Sequence, residues 1–198
     1  MALCWGQRTQ VMGVINLTPD SFSDGGQFNR PDRALAQAKL LVGQGVEILD
    51  LGAQSTRPGA EDVGAAAELT RLLPALQAIR AAINSGEMRC PPRADGELGA
   101  LPLISVDTFR SAVAEAALEA GADWINDVSA GQRDPAILPL VAEAGCPYVL
   151  MHSRGDSQSM DGLTDYGSAG VVQGVLTELR QASDRALAVG LRREQLIW

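Results

Sequence analysis

The chain has 198 residues, 46% of them apolar and 20% charged, the composition of an ordinary globular domain with a substantial core. Its 24 acidic and 16 basic residues give a formal charge of -8, and without a lysine- or arginine-rich block a nucleic acid is excluded as the main partner. An anionic small molecule has to be held by local donors, because the overall field repels it.

No apolar run approaches the roughly 20 residues of a membrane-spanning helix. Met1 to Arg8 lacks the charged-then-apolar order of a secretory signal, so a cytoplasmic location is expected. Cys4, Cys90 and Cys146 are odd in number, far apart and without metal-like spacing, which reads as three free thiols rather than a disulfide framework or zinc site.

In chain order, Gln10 to Asn16 is a buried-strand pattern ending in an amide, followed by a loop-forming stretch from Leu17 to Gly26. Asn29 and Pro31 mark a helix start, Leu35, Ala38, Leu41 and Val42 share a face, and Gly43 and Gly45 close it. A second unit runs from the strand Val46 to Leu51, which carries Asp50, through the loop Gly52 to Gly59. It enters a helix with Leu69, Leu72, Leu73, Leu76 and Ile79 in register, which Pro74 is predicted to kink or divide. Residues 84–100 have no periodicity and break repeatedly at Gly and Pro, which predicts a flexible surface insertion.

The third unit opens with Leu103-Ile-Ser-Val-Asp107, apolar on both faces as in a parallel strand covered by helices. Its helix carries Val113, Ala117 and Ala120 and stops at Gly121. Asp107 therefore stands at a carboxyl strand end, where α/β folds place ligands. A helix cap is the competing reading, and Thr108 suits that role equally well, so the residues leave the two even. A fourth unit starts at Trp124-Ile-Asn126-Asp127 and enters its helix at Asp134-Pro135. A fifth runs from Tyr148 to His152, through a polar loop, into a helix with Val171, Val175, Leu179, Ala182 and Ala186.

A weak repeat, glycine then a strand ending in a polar group, links these units and predicts a parallel sheet with right-handed crossovers. Asn16, Asp50, Asp107, Asn126 and His152 are expected at one rim, which favours a barrel, although a doubly wound sheet would gather some of them too. Gln195 to Trp198 reads as a sixth strand being entered, and a complete eight-unit barrel needs about 250 residues. The expectation is one α/β domain over 1–198, an incomplete TIM (β/α)8-type barrel of about five units plus the start of strand six.

Val11 to Gly26 and Ile48 to Gly59 closely resemble the two signature regions of the dihydropteroate synthase family. Ile104 to Thr108, Trp124 to Gly131 and Leu150 to His152 resemble its later strands in the same order. The resemblance implies a pterin-binding TIM barrel of folate biosynthesis, a transferase that joins 7,8-dihydropterin-6-ylmethyl diphosphate to 4-aminobenzoate with Mg2+. Dihydropteroate and pyrophosphate are the products. It implies Asp107 as catalytic and pterin-binding, Asn126 as pterin-binding, Thr56 and Arg57 on the diphosphate, and Asn16 on the metal. The loops after Asn16 and around Arg57 would be mobile covers, with Phe22 and Pro58 as apolar walls for 4-aminobenzoate. Asp50 and Asp127 are expected to hold loops by hydrogen bonds, and His152 to be structural rather than a base. A homodimer of the intact protein is compatible with the resemblance.

The family also uses an Asp-Pro-Gly loop after strand six, a lysine after strand seven and an Arg-x-His motif after strand eight. None is present here, so the 198 residues alone are expected to bind pterin weakly and turn over poorly, as a fragment. Two other readings stand beside this one: a methyltransferase domain that holds methyltetrahydrofolate, and a non-catalytic remnant.

Overall fold

A computed structural model describes residues 9–18, 31–92 and 99–198. Six strands form one parallel sheet in sequence order: β1 (Met12–Asn16), β2 (Ile48–Gly52), β3 (Leu103–Asp107), β4 (Trp124–Asp127), β5 (Tyr148–Leu150) and β6 (Leu196–Ile197). Five helices alternate with them: α1 (Pro31–Gly43), α2 (Gly64–Asn84), α3 (Ser111–Glu119), α4 (Ile137–Ala144) and α5 (Gly170–Ala188). This is the expected incomplete TIM-type barrel, sixth strand included.

Strand neighbours in sequence are neighbours in space, each pair joined by a β-α-β crossover. The apolar strand residues of one parity, Ile15, Leu49, Leu51, Ile104, Val106 and Ile125, pack in one core with the buried stripes of the helices. α1 contributes Ala34, Ala38 and Val42, and α2 contributes Leu72, Leu76, Ile79 and Ile83. These small and branched residues let each helix lie close on the sheet. Gly13 leaves room for a close approach, because a Cβ there would stand 3.0 Å from Val46 and 3.1 Å from Leu41 of α1.

Several expectations change. Pro74 does not divide α2, which runs unbroken from Gly64 to Asn84 with the proline on its exposed side, where the missing N–H leaves the core stripe intact. The first turn of α5 buries nothing: Val171 and Val172 are 58% and 75% exposed, and burial starts at Ala182. The segment expected as a flexible insertion is tied down at both ends, since Met88 and Cys90 are buried and the Cys90 N–H donates to the Ala100 carbonyl at 3.0 Å. Residues 93–98 between them lie outside the described part, as do Cys4 and residues 19–30 with Phe22. The Cys90 thiol donates to the Val46 carbonyl at 3.7 Å, and burial pushes the Cys146 thiol up to about 11.

Candidate active site

Register assembles the site. Asn16 pairs with Gly52, Gly52 with Asp107, and Asp107 with Asn126, so one row crosses four strands. Side chains alternate faces along a strand, and Gly13 faces α1, so Asn16 and its row point away from that helix. Asp50 lies two residues before Gly52 on the same face. Its Oδ2 accepts the Asn126 Nδ2–H at 3.1 Å, across β3. Asp50 was expected to hold a loop, and instead it orients the Asn126 amide; only the pairing of β2, β3 and β4 brings the two together.

The helix-cap reading of Asp107 is settled by the donors it does not receive. The Ser111 N–H that opens α3 donates to Asp134 Oδ2 at 2.7 Å, and Thr108 Oγ accepts the Arg110 N–H at 3.2 Å. Asp107 Oδ1 is withdrawn from solvent and has no hydrogen-bond partner among the described residues. Burial, reinforced by the negative charges of Asp50, Glu68 and Asp127, pushes the Asp107 carboxyl up to about 8. Burial also raises the pKa of Asp50. A carboxylate withdrawn from water, surrounded by like charge and lacking a donor is a costly arrangement unless a ligand supplies donors or positive charge.

Asp127 follows Asn126 directly and so faces the other way. Its Oδ1 accepts the Ser129 N–H at 2.7 Å and the Ser129 hydroxyl at 2.8 Å, and its Oδ2 accepts the Gly131 N–H at 2.8 Å and the Tyr148 hydroxyl at 2.7 Å. It holds the β4–α4 loop, as expected. Gly131 is required there: φ is +72°, and a Cβ would strike Leu138 at 2.7 Å.

Above the row a cavity of about 380 Å³ is lined, among the described residues, by Asn16, Thr18, Gln54, Ser55, Thr56, Arg57 and Asp107. Arg57 is the one cation in that lining. A second cavity, of about 490 Å³, shares Thr18, Ser55 and Arg57 and adds Pro58, Gly59, Ala60, Glu61, Val63 and Arg71. Asn126 lines neither cavity and stands beside Asp107 in the row. His152 also lines neither: its Nε2 lies 2.8 Å from Glu178 Oε2 on α5, a structural pairing.

The loop that carries Thr56 and Arg57 is built by Gln54, which the sequence did not single out. Its Nε2 donates to the carbonyls of Ser55 and Glu61 at 2.7 and 2.8 Å, and its Oε1 accepts the Val63 N–H at 3.0 Å. Asp62 closes the far side, pairing with Arg110 and with Arg133, while both guanidiniums stack on Phe109. The Gln54 side-chain bonds satisfy backbone polar groups of the loop after β2.

A Mg2+ ion fits part of this site. Asn16 Oδ1 and Asp107 Oδ2 converge over Gly52, where a Cβ would lie 3.9 and 3.4 Å from them. Among the described residues no group of three His, Cys, Asp or Glu is placed to cage a metal. One or two hard oxygens with the rest supplied by phosphate and water is the Mg2+ pattern.

A parallel barrel sheet with a half-buried carboxylate, one oxygen of which lacks a donor, and an oriented amide at its carboxyl rim defines a (β/α)-barrel ligand-binding protein. The chain belongs to the pterin binding enzyme family, which matches residues 12–198. It is 44% identical over 197 residues to a dihydropteroate synthase of Synechocystis sp., covering 98% of this chain and 60% of that protein. Dihydropteroate synthase of Clostridium difficile, solved in the presence of pteroic acid, superposes with a TM-score of 0.80 at 30% identity, covering 98% of this chain and 65% of that one. The Xanthomonas albilineans enzyme with 4-aminobenzoic acid superposes at 0.77 and 35% identity, covering 96% and 60%. The chain therefore spans 60% of the length of the dihydropteroate synthases of Synechocystis sp. and Bacillus subtilis. No helix among the described residues is long and apolar enough to cross a membrane.

Proposed function

We propose that residues 1–198 form part of a single pterin-binding barrel domain of a cytoplasmic dihydropteroate synthase. It would condense 7,8-dihydropterin-6-ylmethyl diphosphate with 4-aminobenzoate in folate biosynthesis. The observation that carries this reading is the donor-poor Asp107 carboxyl beside an Asn126 amide fixed by Asp50. A pterin edge offers a ring N–H and an exocyclic amine, the donors that Asp107 lacks, and the remaining Asn126 groups both donate and accept.

When pyrophosphate leaves, positive charge develops on the methylene and spreads into the ring. Asp107, surrounded by carboxylates in a site shielded from water, stabilises that charge without reorganising. Thr56 and Arg57 hold the departing diphosphate by hydrogen bonds and a guanidinium fork. Asn16, with Asp107 nearby, would hold Mg2+, which when bound neutralises phosphate charge as the bond breaks. Arg57 and Arg71 beside Pro58, Ala60 and Val63 suit a flat ring bearing a carboxylate, the character of 4-aminobenzoate. A methyltetrahydrofolate carrier has no use for Thr56 and Arg57 in this cavity. Sedimentation of the intact protein tests the homodimer.

Calorimetric titration with a non-hydrolysable dihydropterin diphosphate analogue and Mg2+ tests the reading. Measurable binding by the 198-residue chain, lowered about 10- to 100-fold in Asp107→Asn, is expected for loss of the carboxylate that accepts from the pterin edge. Binding that is indifferent to Asp107→Asn would overturn it.

A further inference from the structure

The loop that carries Arg57 is clasped from across the mouth of the barrel. The Gly59 N–H donates to the Ser157 carbonyl at 2.7 Å, and the Ser157 hydroxyl donates to the Ala60 carbonyl at 3.0 Å. These are residues of the β2–α2 and β5–α5 loops, whose strands are not neighbours in the sheet. Sheet pairing therefore cannot produce this contact, and both bonds converge on one serine.

Ser157 is itself mounted rigidly. Asp156 Oδ1 accepts the N–H groups of Gln158 and Ser159, both at 3.0 Å, and the Ser159 hydroxyl at 2.7 Å, which closes a turn around it. Arg154 anchors the same loop to α5 through Glu178, donates to the Asp165 carbonyl at 2.7 Å and stacks on Tyr166 at 3.7 Å. The Arg154 hydrogen bonds hold the Glu178 carboxyl down at about 2, so this anchor persists across physiological pH. A firm mount thus reaches over to the loop whose Thr56 and Arg57 line the first cavity. Arg57 and Gly59–Ala60 are both in the wall of the second.

We infer that Ser157 is a positioning residue for Arg57: its clasp on Gly59 and Ala60 fixes the guanidinium on the wall between the two cavities and so sets affinity for the diphosphate group. The inference rests on the proposed role of Arg57. Without the clasp, the two residues after Pro58 lose their external hydrogen bonds, and the guanidinium samples positions from which its donors miss the phosphate oxygens. Losing an oriented hydrogen bond of this kind corresponds to roughly a two- to tenfold change in an equilibrium.

The test compares the parent protein with Ser157→Ala, Ser157→Thr, Arg57→Ala and the double variant Ser157→Ala/Arg57→Ala. Inorganic pyrophosphate with Mg2+ is the calorimetric probe, and amide exchange at Gly59 reads the clasp without any ligand. Ser157→Ala removes the hydroxyl bond to the Ala60 carbonyl and keeps the backbone carbonyl that accepts from Gly59, so by loosening the loop it should speed Gly59 amide exchange about two- to fivefold and weaken pyrophosphate binding roughly fivefold. Ser157→Thr should restore both, and Ser157→Ala should add nothing in the Arg57→Ala background. Unchanged pyrophosphate affinity in Ser157→Ala, while Arg57→Ala loses it, overturns the positioning role alone. If Arg57→Ala binds like the parent, the assignment of Arg57 fails first and this inference falls with it, whatever Gly59 exchange shows.

Discussion

Two aspartates end neighbouring strands of the same sheet, and their fates are opposite. Asp127 at the end of β4 is buried and receives four donors from its own chain, while Asp107 at the end of β3 keeps an oxygen with no partner among the described residues. Both are carboxylates at the carboxyl rim of a parallel strand. The difference comes from strand parity: Asp107 is in register with Asn126, so Asp127, one step on, points to the opposite face toward Tyr148. A satisfied carboxylate stabilises the loop it holds. An unsatisfied one costs stability and is retained at sites where a ligand completes it.

The largest effect that would break this contrast is Asp127→Ala. It orphans two backbone N–H groups and two hydroxyls around a buried position and should lower unfolding free energy by about 3–5 kcal/mol, read by urea denaturation. Comparable stability of this variant and the parent would show that the four bonds are not those of the folded protein in water.

Asp107→Asn should move function and stability in opposite directions. Binding of a dihydropterin diphosphate analogue should fall by about 1.5–3 kcal/mol, the loss of hydrogen bonds to a carboxylate acceptor. The folded protein should be stabilised, increasingly so at higher pH. The sign follows from linkage: between the unfolded value of about 3.9 and the folded value of about 8, the native state holds a proton at Asp107 that the unfolded chain has released. Parent stability therefore declines as pH rises through that window, by up to about 1.4 kcal/mol per pH unit. Denaturation midpoints from pH 5 to 8 should show that extra slope in the parent and not in Asp107→Asn.

Pterin affinity sharpens the same point. A ligand that needs the ionised carboxylate must expel the proton, so binding should strengthen as pH rises toward 8, by up to about tenfold per unit. A flat profile measured by calorimetry would mean that the neutral acid is the binding form. The smallest expected change is Tyr148→Phe, which removes one of the four donors to Asp127. It should cost about 1 kcal/mol in denaturation experiments and leave analogue binding unaltered.

Particular elements show how far the sequence could be read. Pro31, at the first position of α1, and Gly145, which closes α4 with φ at +69°, act through their own backbone restrictions, and such signals are local. The apolar runs of β1 to β5 were equally legible, as was the place of Asn16, Thr56, Arg57 and Asp107 at strand ends and rim loops. Asp134 was legible only in part. The helix expected to open at Asp134-Pro135 starts at Ile137 without a side-chain cap; Asp134 Oδ1 accepts the Ala136 N–H in the turn ahead of it, and Oδ2 receives Ser111 at the start of the preceding helix, which deprives Asp107 of a capping role. The partner of Asp50 and the role of Gln54 carried no readable signal, because Asn126 is 76 residues from Asp50 and the partners of Gln54 are spread over a folded loop.

The amino-acid order alone determined that strands alternate with helices, that the strands pair in parallel, and that polar groups gather where each strand meets its loop. Periodicity and chain punctuation act over a few residues and need no knowledge of the whole. Only the tertiary structure decided which carboxylate is left without donors, which amide is pinned beside it, and which distant serine clasps the Arg57 loop. Those outcomes depend on register and on loops meeting across the barrel mouth, and both are set by packing many segments at once.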